Sequence, residues 1–265
     1  MTAFLSVHRM NRGDFLQCVH MRSVGNDFMV VDGRNQSIDG AILAKKACAL
    51  TGADGFMVLG SSEIADFHLA FYNCDGSTAS MCGNGSRCIC CFAYSLGLVG
   101  GEMTVQTDAG VIFGRRISEE IYGVLLPAPD DFCLGIEPGV DYCICGVPHG
   151  VLSVAEIQKE ALYQKAQALR QARDCNVDFY RWLDSRSVQV LTYERGVEDF
   201  TLACGTGCGA VAAILYHTGR LPGKNLTAQC PGGELRMKIA EENGHIRGIF
   251  QEGRVETLGT YLMDI

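Results

Sequence analysis

MCGNGSRCICCFAYSLG, residues 81–97, returns in altered form as ACGTGCGAVAAILYHTG, residues 203–219. With Cys82 laid on Cys204, Gly83 falls on Gly205, Gly85 on Gly207, Tyr94 on Tyr216 and Gly97 on Gly219. Each copy is a cysteine, a glycine-rich turn, an apolar run of helical length and a stopping glycine. The chain therefore places one cysteine at each of two helix N-termini. The first turn of a helix has backbone N–H groups without partners, and its aligned dipoles put positive potential there. The glycines let that backbone approach an anion, so Gly83-Asn84-Gly85 and Gly205-Thr206-Gly207 read as two anion cradles. A thiol so placed is expected to ionise more easily than its usual value of about 8.5, toward the range of roughly 3.5 to 7.5. Two such cysteines facing one small acid would make an acid and base pair.

Both helical runs are apolar nearly all round, with Ile89, Cys91, Phe92, Ala93 and Leu96 in one and residues 210–215 in the other. Such helices must be wrapped on every side, and short strands with turn signals between them supply the wrapping. The predicted class is α+β: two pseudo-symmetric halves, each a curled, mostly antiparallel sheet or barrel around a central buried helix. The halves are set at residues 15–130 and 131–255, with 256–265 returning to the first and 1–14 an extension. A ligand would lie in the cleft between halves, where the two helix N-termini converge.

In order, residues 15–32 read as strand, turn and strand, with a polar turn at Ser23 to Phe28. Asp39 caps a short helix closed by Gly52. Residues 55–59 and 66–73 are strands leading through Asn73-Cys74-Asp75-Gly76-Ser77 to Cys82, and 103–107, 111–115 and 121–126 are strands after the first apolar helix. In the second half, 143–147 is a short strand ending at Pro148-His149-Gly150. Ser153 with Glu156 forms a capping box for a helix through Ala172, and 187–193 is a strand leading to Glu194-Arg195-Gly196. AQCPGGEL at 228–235 echoes VQTDAGVI at 105–112, so the hairpin after each helix is duplicated too.

A 265-residue chain with 48% hydrophobic residues can fill two ordinary cores. Its net charge of −8, with no long Lys/Arg run, argues against nucleic acid and anionic membranes as partners. No signal peptide and no run of about 18 apolar residues is visible, so the 14 cysteines are expected to be reduced thiols in a cytoplasmic protein. Cys88 and Cys91 form a lone CxxC, accompanied by Cys143 and Cys145. A zinc site wants a second pair with structural-site geometry and none is obvious, so no metal is expected.

Six short motifs then resemble the diaminopimelate epimerases in order and spacing: GNDF at 25–28, NCDGS at 73–77, MCGNGSR at 81–87, PH at 148–149, ERG at 194–196 and ACGTG at 203–207. The resemblance covers nearly the whole chain from about residue 15. It implies cofactor-independent epimerisation of LL-diaminopimelate to the meso form, for lysine or peptidoglycan synthesis. In that reading Cys82 and Cys204 are the acid and base, and Gly83, Asn84, Gly205 and Thr206 hold the α-carboxylate. Asn26, Asn73 and Asn176 hold the substrate through amides, and Arg195 clamps its distal carboxylate. His149 and Glu194 form a polar pair beside the reacting centre. The resemblance also implies a homodimer acting on a small amino acid.

Read alone, several of these residues are less specific. The polar turn at Ser23 to Phe28 is first a hairpin loop, His149 after a proline a structural histidine, and Glu194-Arg195 a solvated charge pair. The chain also departs from the family. Val147 stands where the family usually has asparagine before Pro-His, and the loop from Gly196 to Cys204 is one residue longer than is common. Loss of that amide removes a hydrogen-bond partner for the distal end of the substrate. A broader amino acid racemase on the same scaffold, acting for example on glutamate, is the alternative. A binding or metal-holding protein with a decayed site is a third reading, disfavoured by the two intact cysteines.

Overall fold

The computed structural model describes residues 15–78 and 82–264; the 1–14 extension lies outside them. Sixteen strands and four helices follow one another as β1 (Phe15–Ser23), β2 (Asn26–Asp32), α1 (Gly40–Thr51), β3 (Gly55–Gly60), β4 (Phe67–Asn73), α2 (Gly83–Ser95), β5 (Glu102–Thr107), β6 (Gly110–Arg116) and β7 (Ile121–Leu126). Then come β8 (Asp130–Glu137), β9 (Val140–Cys145), β10 (Val147–Ser153), α3 (Lys159–Arg173), β11 (Asn176–Trp182), β12 (Ser187–Glu194), β13 (Asp199–Phe200), α4 (Gly205–His217), β14 (Asn225–Cys230), β15 (Gly233–Glu242) and β16 (His245–Asp264).

Strands β1 to β7 pair in sequence order and β16 closes the ring by pairing with both β7 and β1. The result is a barrel around α2. On the other side β16 continues through β15, β14, β12, β11, β10 and β9 to β8, and this second sheet curls around α4. The long strand β16 serves both halves. Its first part is paired with β15 and β7, in register Leu126↔Ile249 to Ile121↔Arg254, and its last part with β1, from Ser23↔Val255 to Phe15↔Asp264.

The duplication is carried into the topology. Crossover through α1 puts β2 parallel to β3, and crossover through α3 puts β10 parallel to β11. Likewise β4 and β5 are parallel across α2, and β12 and β14 across α4. The echoing hairpins pair Val105 with Ile112 and Ala228 with Leu235.

Burial explains why the helices sit where they do. Ile89, Cys90 and Ala93 of α2 are wholly buried against Met57, Phe67, Val105 and Tyr122. Every residue of α4 from Ala210 through Leu215 is wholly buried, against Cys143, Cys145, Val190, Met237 and Ile249 among others. Each such large aliphatic side chain contributes about 1.5–3 kcal/mol by leaving water. The four cysteines weighed for zinc are divided between these cores, Cys88 and Cys91 in the first and Cys143 and Cys145 in the second. Among the described residues no helix is long and apolar enough to cross a membrane.

In the second half the structure corrects two readings and adds strands that the sequence reading lacked. Pro148-His149-Gly150 lies inside β10, because Gly146 at φ +75° reverses the chain so tightly that Val147 pairs with Cys145. Pro148 is tolerated there because pairing with β11 starts only at His149, leaving the proline with a neighbour on one side. Ser153 does not cap α3: it ends β10 opposite Tyr180, and the helix starts at Lys159 from Gln158, which makes no side-chain capping bond. Parallel pairing with β11 has won over the capping box. Strands β8 and β11 were not read from the sequence, since β8 is largely exposed and β11 is buried at five consecutive residues, so neither alternates.

Candidate active site

Cys82 and Cys204 are the N-cap residues of α2 and α4, both with extended backbones, and each Sγ accepts from a first-turn amide, Gly85 N and Gly207 N, at 3.4 Å. Sulfur here occupies the position that a serine or aspartate oxygen takes in an ordinary N-cap. Both cysteines line one cleft of about 730 Å³, together with Asn26, Asn73, Gly83, Asn84, Glu194, Arg195, Gly205 and Thr206. A second lobe of about 530 Å³ shares Glu194, Arg195, Cys204 and Thr206 with it and adds Val147 and Asn176. The segment between β12 and α4 forms one wall through Val197, Phe200, Thr201 and Leu202.

The glycines next to the cysteines answer to a third element. Gln251 of β16 lies between the two helix ends, wholly buried: a Cβ on Gly83 would come within 2.9 Å of its Oε1, and one on Gly205 within 2.5 Å of its Nε2. Gly207 in turn leaves room for Asp178, whose Oδ1 a Cβ there would meet.

Burial overrides the expected ease of ionisation. It pushes both thiols above their ordinary value, while the helix-end N–H groups of Gly85 and Asn84 at Cys82, and of Gly207 at Cys204, pull the other way. The remaining charges differ between the two. Arg87 favours the Cys82 thiolate and Glu194 opposes it more weakly, whereas Glu194 and Asp178 both oppose the Cys204 thiolate. Burial also raises Glu194, against a hydrogen bond from Thr201.

Around the thiols the polar side chains form chains of hydrogen bonds. Asn84 donates to Asn26 at 2.6 Å, and Asn26 donates to Asp54 at 3.1 Å. Asn73 donates to Ser77 at 3.0 Å. Asn176 accepts from the backbone N–H of Arg195 at 2.7 Å, and the guanidinium of Arg195 reaches Asp174 at 3.0 Å. Thr206 Oγ1 is 3.4 Å from the Cys204 sulfur. His149 lines neither lobe. It lies behind the site, wholly buried, with Nδ1 2.7 Å from Asp178, which also accepts from Thr192 at 2.7 Å.

Sequence reasoning missed Asp178, Gln251, Asp54 and the part played by Arg87. Asp178 gave a signal as an acid set between Val177 and Phe179, and Arg87 closes the motif MCGNGSR. Gln251 is brought in from a distant strand, which no local motif announces.

Two curled sheets, each around a buried helix, make a fold shared with solved structures. It matches a phenazine biosynthesis protein of the PhzF family from Bacillus anthracis with a TM-score of 0.74 at 14% identity, over 95% of this chain and 99% of that one. It also matches a probable proline racemase from Agrobacterium radiobacter with a TM-score of 0.67 at 17% identity, over 93% and 92%. At such identities these likenesses concern the fold alone. The chain belongs to the diaminopimelate epimerase family, whose model matches residues 18–115 and 142–258. It is 33% identical to the diaminopimelate epimerase of Aquifex aeolicus, over 89% of this chain and 93% of that protein. Against the diaminopimelate epimerase of Campylobacter jejuni it is 35% identical, over 88% and 92%.

Proposed function

We propose that this isomerase epimerises LL-diaminopimelate to meso-diaminopimelate by proton transfer between Cys82, Cys204 and the α-carbon, without a cofactor. The observation that carries the reading is the placement of both cysteines as N-caps of two helices on one cleft. First-turn amides at Gly83 and Asn84 and at Gly205 and Thr206 are the donors for the α-carboxylate. Charge developing there in the transition state meets N–H dipoles already in place. One thiolate takes the α-proton from one face and becomes a thiol, while the other thiol protonates the opposite face and becomes a thiolate. The net charge of the pair is unchanged and the roles are reversed. The burial that resists ionisation helps once a thiolate exists, because a desolvated thiolate is a stronger base than a hydrated one.

Arg195 and Asn176 stand at the second lobe to receive the distal end of the substrate. Val147 also faces that lobe and offers no hydrogen bond, which favours a second reading: a wider range of amino acids, glutamate among them, turning over at the same thiols.

The test is deuterium entry at the α-carbon, followed by NMR in D₂O without pyridoxal phosphate, with LL-diaminopimelate and L-glutamate offered separately. The proposal expects entry into diaminopimelate accompanied by meso product. Entry into glutamate as well supports the wider range, and no entry into either overturns both readings.

A further inference from the structure

Arg87, one helical turn beyond Cys82, is wholly buried, yet each of its three hydrogen-bond acceptors is uncharged: Ser23 Oγ at 3.1 Å, Gln251 Oε1 and Asn84 Oδ1. Among the described residues it joins no ion pair. A buried cation without an anion is costly to the fold, so the anion that balances it is to be sought nearby. The second helix carries no equivalent. In the aligned repeat Gly209 stands where Arg87 stands, and a Cβ there would already come within 2.9 Å of Cys145 Sγ. Carboxylates gather instead on that side, Asp178 behind α4 and Glu194 beside Cys204.

We propose that Arg87 is a positioning residue that supplies the countercharge of a Cys82 thiolate, so that the unliganded protein holds its thiolate at Cys82 and its proton at Cys204. The inference rests on the two-thiol reading above. The groups facing Cys82 are Arg87 and Cys88 from its own helix and Glu194 from β12. Those facing Cys204 are Glu194, Asp178 from β11 and Cys208 from α4, with His149 of β10 bonded to Asp178. Arg87 is itself pushed down by burial, to about 10, and so stays charged at neutral pH. It faces Cys88 more strongly than Cys82, and Cys208 and Cys90 less so, but of these four thiols Cys82 alone lines the cleft and the others are wholly buried. Its contacts give it a hold on geometry as well as charge. Asn84 and Gln251, which it binds, touch the first turn of α2, and Gln251 touches Gly205 of α4.

The test is the pH dependence of alkylation by limiting iodoacetamide on the full chain, read by mass spectrometry at the Cys82 and Cys204 peptides separately. The inflection reports ionisation whatever the difference in exposure. In the wild type the Cys82 inflection is expected below that of Cys204. Arg87→Gln is expected to raise the Cys82 inflection by about 1–3 pH units and leave Cys204 in place, and Arg87→Lys to restore most of the shift. An inflection at Cys204 equal to or below that at Cys82 in the wild type would overturn the proposal. So would a folded Arg87→Gln protein with an unmoved Cys82. Should Arg87→Gln not fold, the wild type and Arg87→Lys still decide. Because no substrate is used, absent diaminopimelate turnover would leave this result standing by itself.

Discussion

Gly83 and Gly205 are held to glycine by Gln251, which cannot swing away because it is wholly buried. Gly83→Ala and Gly205→Ala should each cost about 1–3 kcal/mol in thermal or urea unfolding through overpacking, and should lower turnover by displacing the first-turn amides. Gly100→Ala, where nothing lies within 4 Å of the added carbon, should leave both measurements within error. Asp178 is the other residue on which the site depends. Asp178→Ala strands His149 Nδ1 and the Thr192 hydroxyl in the interior, and a loss of about 1–3 kcal/mol for each stranded group is expected in urea unfolding. At this scale the sequence was an uneven guide. The cysteines and their glycines stood out because a short repeat displays them, whereas Gln251 and Asp178 act through contacts made by residues far apart in the chain.

Among elements, the two halves invite a direct comparison of helix starts. Asp39 accepts from Ile42 N at 3.1 Å as the N-cap of α1, so Asp39→Ala should cost about 1 kcal/mol. Ser153, which the sequence pattern made an N-cap, ends β10 instead, and Ser153→Ala should change stability by less than about 0.5 kcal/mol. A pair of unfolding curves separates the two. Helices α1, α2 and α4 and the hairpins after α2 and α4 were legible because caps, apolar runs of helical length, glycine stops and the internal repeat agree. Strand β11 was not, since burial on both faces removes the alternation by which a strand is recognised. For β8 the opposite holds, as an exposed strand leaves no apolar pattern.

Over the whole molecule, β16 binds the halves together, and the buried thiols in the cores it joins have a collective consequence. Burial pushes Cys18, Cys90 and Cys145 up to about 12. An unfolded chain releases such protons near pH 8.5, so between that pH and about 12 the native state binds more protons than the unfolded one. Stability should therefore be intact below about pH 8.5 and fall as pH rises, each such thiol adding a slope approaching about 1.4 kcal/mol per pH unit. Melting temperatures measured from pH 7 to 11 check this, and a flat profile would contradict it. The pseudo-symmetric architecture was visible in the repeated segments, but the exchange of β16 between halves was not, because a continuous strand carries no mark of where its partners change. That exchange fixes the relation of the two helix ends, on which the proposed chemistry depends. Its most direct test is stereochemical, with Cys82→Ala and Cys204→Ala each given LL- and meso-diaminopimelate in D₂O. If the thiols serve opposite faces, neither variant yields the other isomer, and any residual α-deuteration reaches an L centre in one variant and a D centre in the other. Formation of the other isomer by either single-cysteine variant would contradict the two-thiol account.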